Sequence, residues 1–310
     1  MKTKILFFLK LFILIAVFCT AALLIRDSND TQRALPYDPS TSTAKKFSLL
    51  QKWIPGNADI VIVADLYRLK TIAPLDRLFE YALKNGGGQT MLSPALESIN
   101  TIGMIVLCAT LDEGGPSVIV LVQSDFREPE FLEIVRKELE KEKTTLLSGV
   151  VAGIPFYWQD GEDLSVAIAF PDPRHLLIGT NDFLAKLLSH TIDYEQRLSL
   201  PETDAPLFGV VRSSTRIKKI LPPQIASVEL VQFSSDDAGK LHIVATCTDN
   251  KQADNLRLFL AGMKALYALQ QEGNMPFVTA LNAMAIRGEN RFVLIDVPME
   301  QLPVLFSANL

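Results

Sequence analysis

Two apolar runs, IGMIVLCAT at 102–110 and SVIVLVQ at 117–123, decide the fold class of this chain. Both are short and rich in β-branched residues, which predicts two β-strands. The residues between them, 112–116, have the composition of a tight turn, so the strands are expected to form an antiparallel hairpin. The part IVLCAT at 105–110 is apolar on both faces of a strand, which predicts a place at the centre of a sheet.

Strands and helices alternate on either side of this hairpin. Further strands are predicted at 59–64, 147–151, 155–159, 164–170, 175–180, 207–212, 227–233, 241–247, 281–286 and 291–297. Helices are predicted at 66–84, 128–142, 181–189, 215–221, 254–271 and 300–306. The order strand, helix, hairpin, helix, hairpin, helix therefore occurs twice along the chain.

This repeated order predicts two similar modules, at 47–190 and 205–310, joined by a linker at 191–204. Each module is expected to be a mostly antiparallel sheet with helices packed on one face. The predicted fold class is α+β, with an N-terminal transmembrane helix ahead of the two modules.

The composition is that of a folded, acidic protein. The chain has 310 residues, 48% hydrophobic and 21% charged, which excludes a disordered chain because enough apolar surface is present to form a core. It carries 30 basic and 35 acidic side chains, giving a net charge of −5. Binding to nucleic acid needs a basic surface, so we expect no nucleic-acid partner.

The first 26 residues decide the predicted location. From Ile5 to Ile25 every residue is apolar or small except Lys10 and Thr20. A helix rises about 1.5 Å per residue and a hydrocarbon core is about 30 Å thick, so residues 5–25 are expected to lie in a lipid bilayer. Basic residues at positions 2 and 4 place the N-terminus in the cytoplasm and the remainder across the membrane.

Three interpretations of this segment stay open. An uncleaved signal anchor at 1–26 is favoured because the apolar run continues to Ile25. A cleaved signal peptide is the second, since small residues at 19–21 suit a signal peptidase. The third is a lipoprotein modified at Cys19, although Phe18 is bulkier than the residue that usually precedes such a cysteine.

Residues 27–46 connect this segment to the globular part. They are rich in Ser, Thr, Asp and Pro and show no apolar period, which predicts a flexible tether. Residues 1–26 carry four basic side chains and no acidic ones, so the net charge of −5 for the whole chain becomes −9 for the exported part. Such an acidic body is expected to stay soluble and to gain no attraction to anionic lipids.

The sequence carries no motif with the spacing of a known catalytic or cofactor site. The nucleophile elbow, the phosphate-binding Walker loop and the H-E-x-x-H zinc helix are all missing. His175, His190 and His242 are scattered, without neighbours that suggest metal ligands. The acidic run at 160–163 is expected to be a solvated turn. We therefore expect no catalytic residue, no metal site and no cofactor, in a protein that is not an enzyme.

Two cysteines lie on predicted strands. Cys108 and Cys247 could pair in an oxidising compartment if their Cα atoms lie within about 7 Å of each other. The favoured alternative is that both are buried and pack as small hydrophobic residues.

Three aromatic residues, Trp53, Tyr157 and Trp158, are the candidates for a ligand or partner surface. Residues 156–158 are all aromatic, and successive side chains on a strand point to opposite faces. At least one of these rings is therefore expected to be exposed, whereas core packing is expected for the others.

Two stretches resemble motifs in exported bacterial proteins of unknown function. The first is WIPGNAD at 53–59, which leads into IVIVAD, and the second is HLLIGTNDFLAKLL at 175–188. The proteins that this chain resembles have an N-terminal membrane segment followed by repeated α+β modules. The resemblance implies a single-pass protein of the bacterial inner membrane with a periplasmic body, and it brings no catalytic residues.

The favoured functional hypothesis is a membrane-anchored, non-catalytic protein that acts by binding a protein partner, as an envelope assembly factor or scaffold. A first alternative is a carrier or sensor that holds a small apolar ligand between the two modules. A second alternative is a hydrolase whose residues come together only in the fold.

We expect alkaline phosphatase fused after Leu310 to be active, because the enzyme folds only after export and the basic flank of the first segment retains the N-terminus in the cytoplasm. The unfused full-length chain is expected to stay with the bilayer during an alkaline carbonate wash. Activity only from a cytosolic reporter at the same site, or release of the intact chain into the wash, would contradict this topology.

Overall fold

The computed structural model describes residues 41–72, 103–112, 115–124, 128–141, 144–160, 166–189, 200, 203–213, 218, 225–270 and 275–307. These residues form a mixed α+β fold around one sheet of twelve strands, in which all neighbouring strands are antiparallel. The predicted α+β class with antiparallel pairing is confirmed. No helix in these ranges has the length and apolar character needed to cross a bilayer.

Some sequence predictions concern residues outside the described ranges. They are the transmembrane helix at 5–25, the tether up to residue 40, the helix from 73 to 84, Cys19, His190, the acidic residues 161–163, residues 191–199 of the linker and nearly all of the helix at 215–221.

The strands are β1 (Ile60–Asp65), β2 (Met104–Asp112), β3 (Gly115–Gln123), β4 (Leu146–Val151), β5 (Ile154–Gln159), β6 (Val166–Asp172), β7 (His175–Thr180), β8 (Leu207–Arg212), β9 (Val228–Ser235), β10 (Lys240–Cys247), β11 (Ala285–Glu289) and β12 (Phe292–Pro298). The helices are α1 (Thr43–Ser48), α2 (Leu66–Ile72), α3 (Glu128–Lys141), α4 (Asn181–Leu188), α5 (Asn250–Gln270), α6 (Met275–Ala283) and α7 (Leu302–Ser307). Short 3₁₀ turns occupy Gln51–Trp53 and Met299–Gln301.

The strand order is β11-β12-β10-β9-β8-β1-β2-β3-β7-β6-β5-β4. Strand β1 pairs with β2 on one side and with β8 on the other. The strands before and after the predicted linker at 191–204 therefore belong to one continuous sheet, and two separate sheets are not formed. Strand β4 is at one end of the order and β11 is at the other.

Helices cover both faces of the sheet in its first half, so the prediction of helices on one face is wrong there. On β3, Val120 packs in a cluster with Phe131 of α3, whereas Leu121 packs in another cluster with Leu184 of α4. Successive residues of a strand point to opposite faces, so α3 and α4 lie on opposite sides. Because β3 is apolar at successive positions, each side must be covered. We call these sides the α3 face and the α4 face.

Two predicted boundaries are wrong. A strand was expected at 281–286, but helix α6 runs to Ala283, because Phe277, Ala280 and Leu281 bury one helical stripe at spacings of three and four residues. The tether was expected to reach residue 46, but α1 already begins at Thr43. The side chain of Ser42 accepts a hydrogen bond from the Lys45 N–H and so caps the start of α1.

Glycine is required at position 209, where β8 lies between β1 and β9. A Cβ atom here would contact the ring of Phe233 and would lie 2.5 Å from the carbonyl oxygen of Val61. By contrast, a Cβ at Gly262 on α5 would meet no atom within 4 Å.

We expect Gly209→Ala to lower the free energy of unfolding by roughly 1–3 kcal/mol, because the added methyl overpacks the junction of the sheet. Gly262→Ala is the matched control, and a gain of up to about 1 kcal/mol is expected from the better helix propensity of alanine. Urea unfolding of the detergent-solubilised chain, followed by tryptophan fluorescence, measures both. Equal stability of the two variants would contradict the argument.

Candidate binding surface

The three aromatic residues chosen from the sequence do not form one surface. Trp53 is buried and packs in the cluster of the α4 face, against which Trp158 also packs. Tyr157 packs against the cluster of the α3 face. The alternation expected for residues 156–158 therefore occurs, with Tyr157 and Trp158 on opposite sides of the sheet. Phe156 is buried and the other two are half-buried, so the expected exposed ring is not found among them.

Tyr157 has a structural contact that accounts for its position. Its hydroxyl donates a hydrogen bond to Oε1 of Glu128 at 2.6 Å, which joins β5 to the first turn of α3. Burial and this carboxylate raise the pKa of Tyr157 to about 12, so the hydroxyl remains a donor at neutral pH. This arrangement fixes α3 on the sheet.

Trp158 covers the backbone of the edge strand. A Cβ at Gly149 of β4 would lie 3.2 and 3.3 Å from two ring carbons of Trp158, so the ring lies directly over this glycine. The neighbouring Val150 is 71% exposed. The β4–β5 hairpin thus combines an aromatic ring close to one residue of the edge strand with exposed positions along that strand.

An exposed apolar surface lies on α5 and at the start of α6. The large side chains Leu258, Leu266, Leu269 and Met275 are 59%, 47%, 69% and 66% exposed. On α5 they are joined by Gly262 and Ala265, which are also exposed. Positions 258, 262, 265, 266 and 269 recur at helical spacing and share one side of the helix. We call this set with Met275 the α5 apolar surface.

The other side of α5 already serves the core. Ala253 and Leu256 are buried with Val293 of β12 in a cluster on the second half of the sheet. The only charged residue from 258 to 270 is Lys264, whose ammonium donates to the carbonyl oxygen of Met284 at 2.7 Å. The exposed side of this stretch of α5 therefore presents apolar groups without a charge.

The sequence contained a signal for this surface. The stretch predicted as a helix at 254–271 contains Leu258, Leu266 and Leu269 in addition to the stripe that a core-facing helix needs. A helix that is apolar on more than one side must be covered on more than one side. The three aromatic candidates Trp53, Tyr157 and Trp158 do not belong to this surface.

A buried ion pair lies where β1 ends. Nζ of Lys46 on α1 lies 2.7 Å from Oδ2 of Asp65, and both side chains are almost completely buried. The hydroxyl of Thr43 donates to the same oxygen at 3.1 Å. The other oxygen of Asp65 accepts from the backbone N–H of Arg68 at 3.2 Å, so the carboxylate also caps α2.

Arg68 extends this charged network to the second half of the chain. Its guanidinium donates to Oδ1 of Asp237, in the turn between β9 and β10, at 2.8 Å. It also donates to the backbone carbonyl of Asp204 and lies 3.2 Å from the carboxylate of that residue. The network therefore ties α1, α2 and β1 to segments on both sides of β8.

A second charged cluster surrounds His242 on β10. Its Nδ1 lies 2.7 Å from Asp296, and its Nε2 lies 3.1 Å from Asp236. Hydrogen bonds to Asp296 and, less strongly, to Asp236 raise the pKa of His242 above its ordinary value of 6.5. Partial burial acts in the opposite direction and is smaller than the effect of Asp296. The carboxylates lie on opposite sides of the imidazole. Among the residues that the structure describes, no group of three or more His, Cys, Asp or Glu could hold a metal ion.

Cys108 and Cys247 are both free and buried. They lie on β2 and β10, which are four strand spacings apart, so about 19 Å separates the two strands. This distance excludes a disulfide between them and confirms the alternative of two buried thiols. Burial raises the pKa of both thiols, which keeps them protonated and unreactive.

Comparison with known proteins adds limited information. No family model matches the chain, and no curated protein matches it significantly. Solved structures to which it is similar are crystal forms III, IV and I of TP0453, with 10%, 9% and 9% identity and TM-scores of 0.49, 0.48 and 0.47. Each match covers 83% of this chain and 97%, 96% and 96% of the other. A likeness of this size carries no argument about fold or function.

We expect Asp65→Asn to lower the free energy of unfolding by about 3–5 kcal/mol, because the buried Lys46 ammonium loses its carboxylate while the cap on α2 keeps an acceptor oxygen. The double variant Lys46→Met/Asp65→Asn removes both charges and is expected to lose less than the sum of the single variants. Urea unfolding monitored by tryptophan fluorescence gives the four stabilities. Additive losses would show that the two groups do not interact.

Proposed function

We propose that this chain is a single-pass protein of the bacterial inner membrane whose periplasmic body acts, without catalysis, by binding another protein through the α5 apolar surface. The observation that carries the proposal is the set of exposed apolar side chains, with Leu266 and Leu269 near the end of α5 and Met275 at the start of α6, which packs against it. Several large apolar side chains exposed on one side of a helix favour a binding role, because leaving them in water is unfavourable.

The chemistry of the surface favours a protein partner over a lipid surface. Helices that lie on membranes normally place several Lys or Arg residues beside their apolar side, where they contact anionic headgroups. Here the stretch 258–270 has only Lys264, and its ammonium is already bonded to the end of α6. The acidic exported part further disfavours contact with anionic lipid. The expected partner therefore presents an uncharged, apolar groove or helix.

Two further features support the membrane anchor and a body built of two similar modules. The apolar segment at 5–25 has the length of a membrane span and basic residues on its N-terminal side. Outward from the β1–β8 pair, the order is β1-β2-β3-β7-β6 in one half and β8-β9-β10-β12-β11 in the other. The two halves thus place corresponding strands in the same order, which favours two similar modules, with β4 and β5 as an addition to the first.

We expect a photo-crosslinking amino acid at position 269 of the full-length chain, expressed in its native membrane, to capture a discrete protein. Leu266→Glu, made in the chain that carries the probe at position 269, is expected to reduce recovery of that protein at least about tenfold, because complex formation would then bury an unpaired carboxylate. Immunopurification after irradiation, followed by mass spectrometry, measures both effects. Fluorescence unfolding checks that the variant stays folded, which is expected because Leu266 is 47% exposed.

Asn255 provides the matched control, because it is exposed on the same side of α5 near its polar N-terminal end. A crosslinker at position 255 is expected to capture much less of the protein, and Asn255→Glu is expected to leave capture by the position-269 probe unchanged. Adducts of position 269 with phospholipid in place of protein would contradict the proposed partner class. Equal capture from both positions would contradict the proposed surface.

A further inference from the structure

Within the part of the chain that the structure describes, strand β4 leaves an unprotected edge on the sheet. Among the described residues its only neighbouring strand is β5, and its sequence LLSGVV contains no charge and no proline. Natural sheets usually protect such edges with charged residues, prolines or bulges. The opposite edge follows that rule, since β11 carries Arg287 and Glu289 and contacts α5.

The geometry of the β4–β5 hairpin identifies the backbone groups that point outward. Its turn consists of Ala152 and Gly153, with φ values of 51° and 82°, which is the pattern of a two-residue type I′ turn. In such a hairpin the flanking pair, Val151 and Ile154, is hydrogen-bonded, and the two kinds of pair then alternate along the strands.

By this alternation, the backbone groups of Gly149 and Leu147 are the ones hydrogen-bonded to β5. The hydrogen bond of 2.9 Å from the Asp160 N–H to the Thr145 carbonyl continues the series. The N–H and C=O groups of the remaining residues of β4, Leu146, Ser148 and Val150, therefore point away from β5. These six groups form the free edge.

We propose that two copies of this chain pair antiparallel through β4, with Ser148 of each copy opposite Ser148 of the other across a twofold axis. In this register Leu146 of each copy faces Val150 of the other. Each of the three residue pairs is then of the hydrogen-bonded kind, so all six outward groups of each copy are used and six hydrogen bonds form. Registers centred on Leu147 or Gly149 would form only four hydrogen bonds.

The side chains suit this register. Leu146, Ser148 and Val150 share the α3 face, and the exposed Val150 would be covered by Leu146 of the second copy. No like charges meet, because β4 carries none. The contact is closed by its twofold axis, and the charged β11 edge does not extend it, so a dimer is expected and not a filament. A second copy fits better than an unrelated strand because its β4 has the same length and complementary spacing.

The test uses Ser148→Cys in the full-length chain, in isolated membranes treated with copper phenanthroline. Cα atoms of a hydrogen-bonded pair lie about 5.5 Å apart, which is within the range for a disulfide. A band of dimer size that disappears on reduction is expected on a denaturing gel. Thr145→Cys is the control, because the two copies of this exposed residue would lie about 20 Å apart in the proposed register.

A second substitution tests the pairing itself. Val150→Lys, made in the Ser148→Cys chain, is expected to lower the dimer fraction severalfold, because a lysine on an edge strand opposes pairing. The exposure of Val150 predicts that the unfolding midpoint is unchanged. Dimer yields of Ser148→Cys no higher than those of Thr145→Cys or the unsubstituted chain would overturn the proposal. Added oxidant makes the result independent of the redox state of the compartment, and the substitutions on β4 leave the α5 apolar surface unchanged.

Discussion

The structure depends on strand β1, which carries the hydrogen bonds that hold both halves of the sheet together. Its residues pair with β2 along one side and with β8 along the other, and Val61 and Val63 are completely buried. Among the described strands, the pairing of β1 with β8 is the only one that joins the parts of the chain before and after residues 191–204. The buried pair of Lys46 and Asp65 fixes the end of this strand to the first helix.

Buried charge at that junction has a specific consequence. Lysine and aspartate are seldom buried without partners, because removal from water costs several kcal/mol per ion. Here each additional hydrogen bond to Asp65 comes from a different element, Thr43 of α1 and the backbone of Arg68 in α2. The pair therefore specifies how α1 and α2 meet the sheet more than it adds to stability.

Much of the fold could be predicted from the sequence, because its strands are continuous β-branched runs. The strands at 175–180 and 207–212 have the predicted bounds, and the predicted hairpin at 102–123 is present. Prediction failed where tertiary contacts decide the outcome. Residues 281–283 have a short apolar run that fits either a strand or a buried helix, and packing of Phe277 in the same stripe selects the helix.

The candidate surface was harder to predict than the fold. Tyr157 and Trp158 were correctly placed on a strand, but the sequence could not show that Trp158 would lie over Gly149 or that Trp53 would be buried. The exposure of Leu258 and Leu269 depends on which side of α5 meets β12, and that orientation is set by Leu256 and Ala253. The pairing of Lys46 with Asp65 links residues 19 positions apart and has no local signal.

The position of α1 determines how a pull on the N-terminal end of the chain would enter the body. Helix α1 is the first described element, and Lys46 fastens it to the central strand rather than to β4 or β11. Tension would therefore act on β1 in the middle of the sheet. The paired strands β2 and β8 would share the force. The outer strands β4 and β11 lie at the ends of the strand order and would carry less of that load.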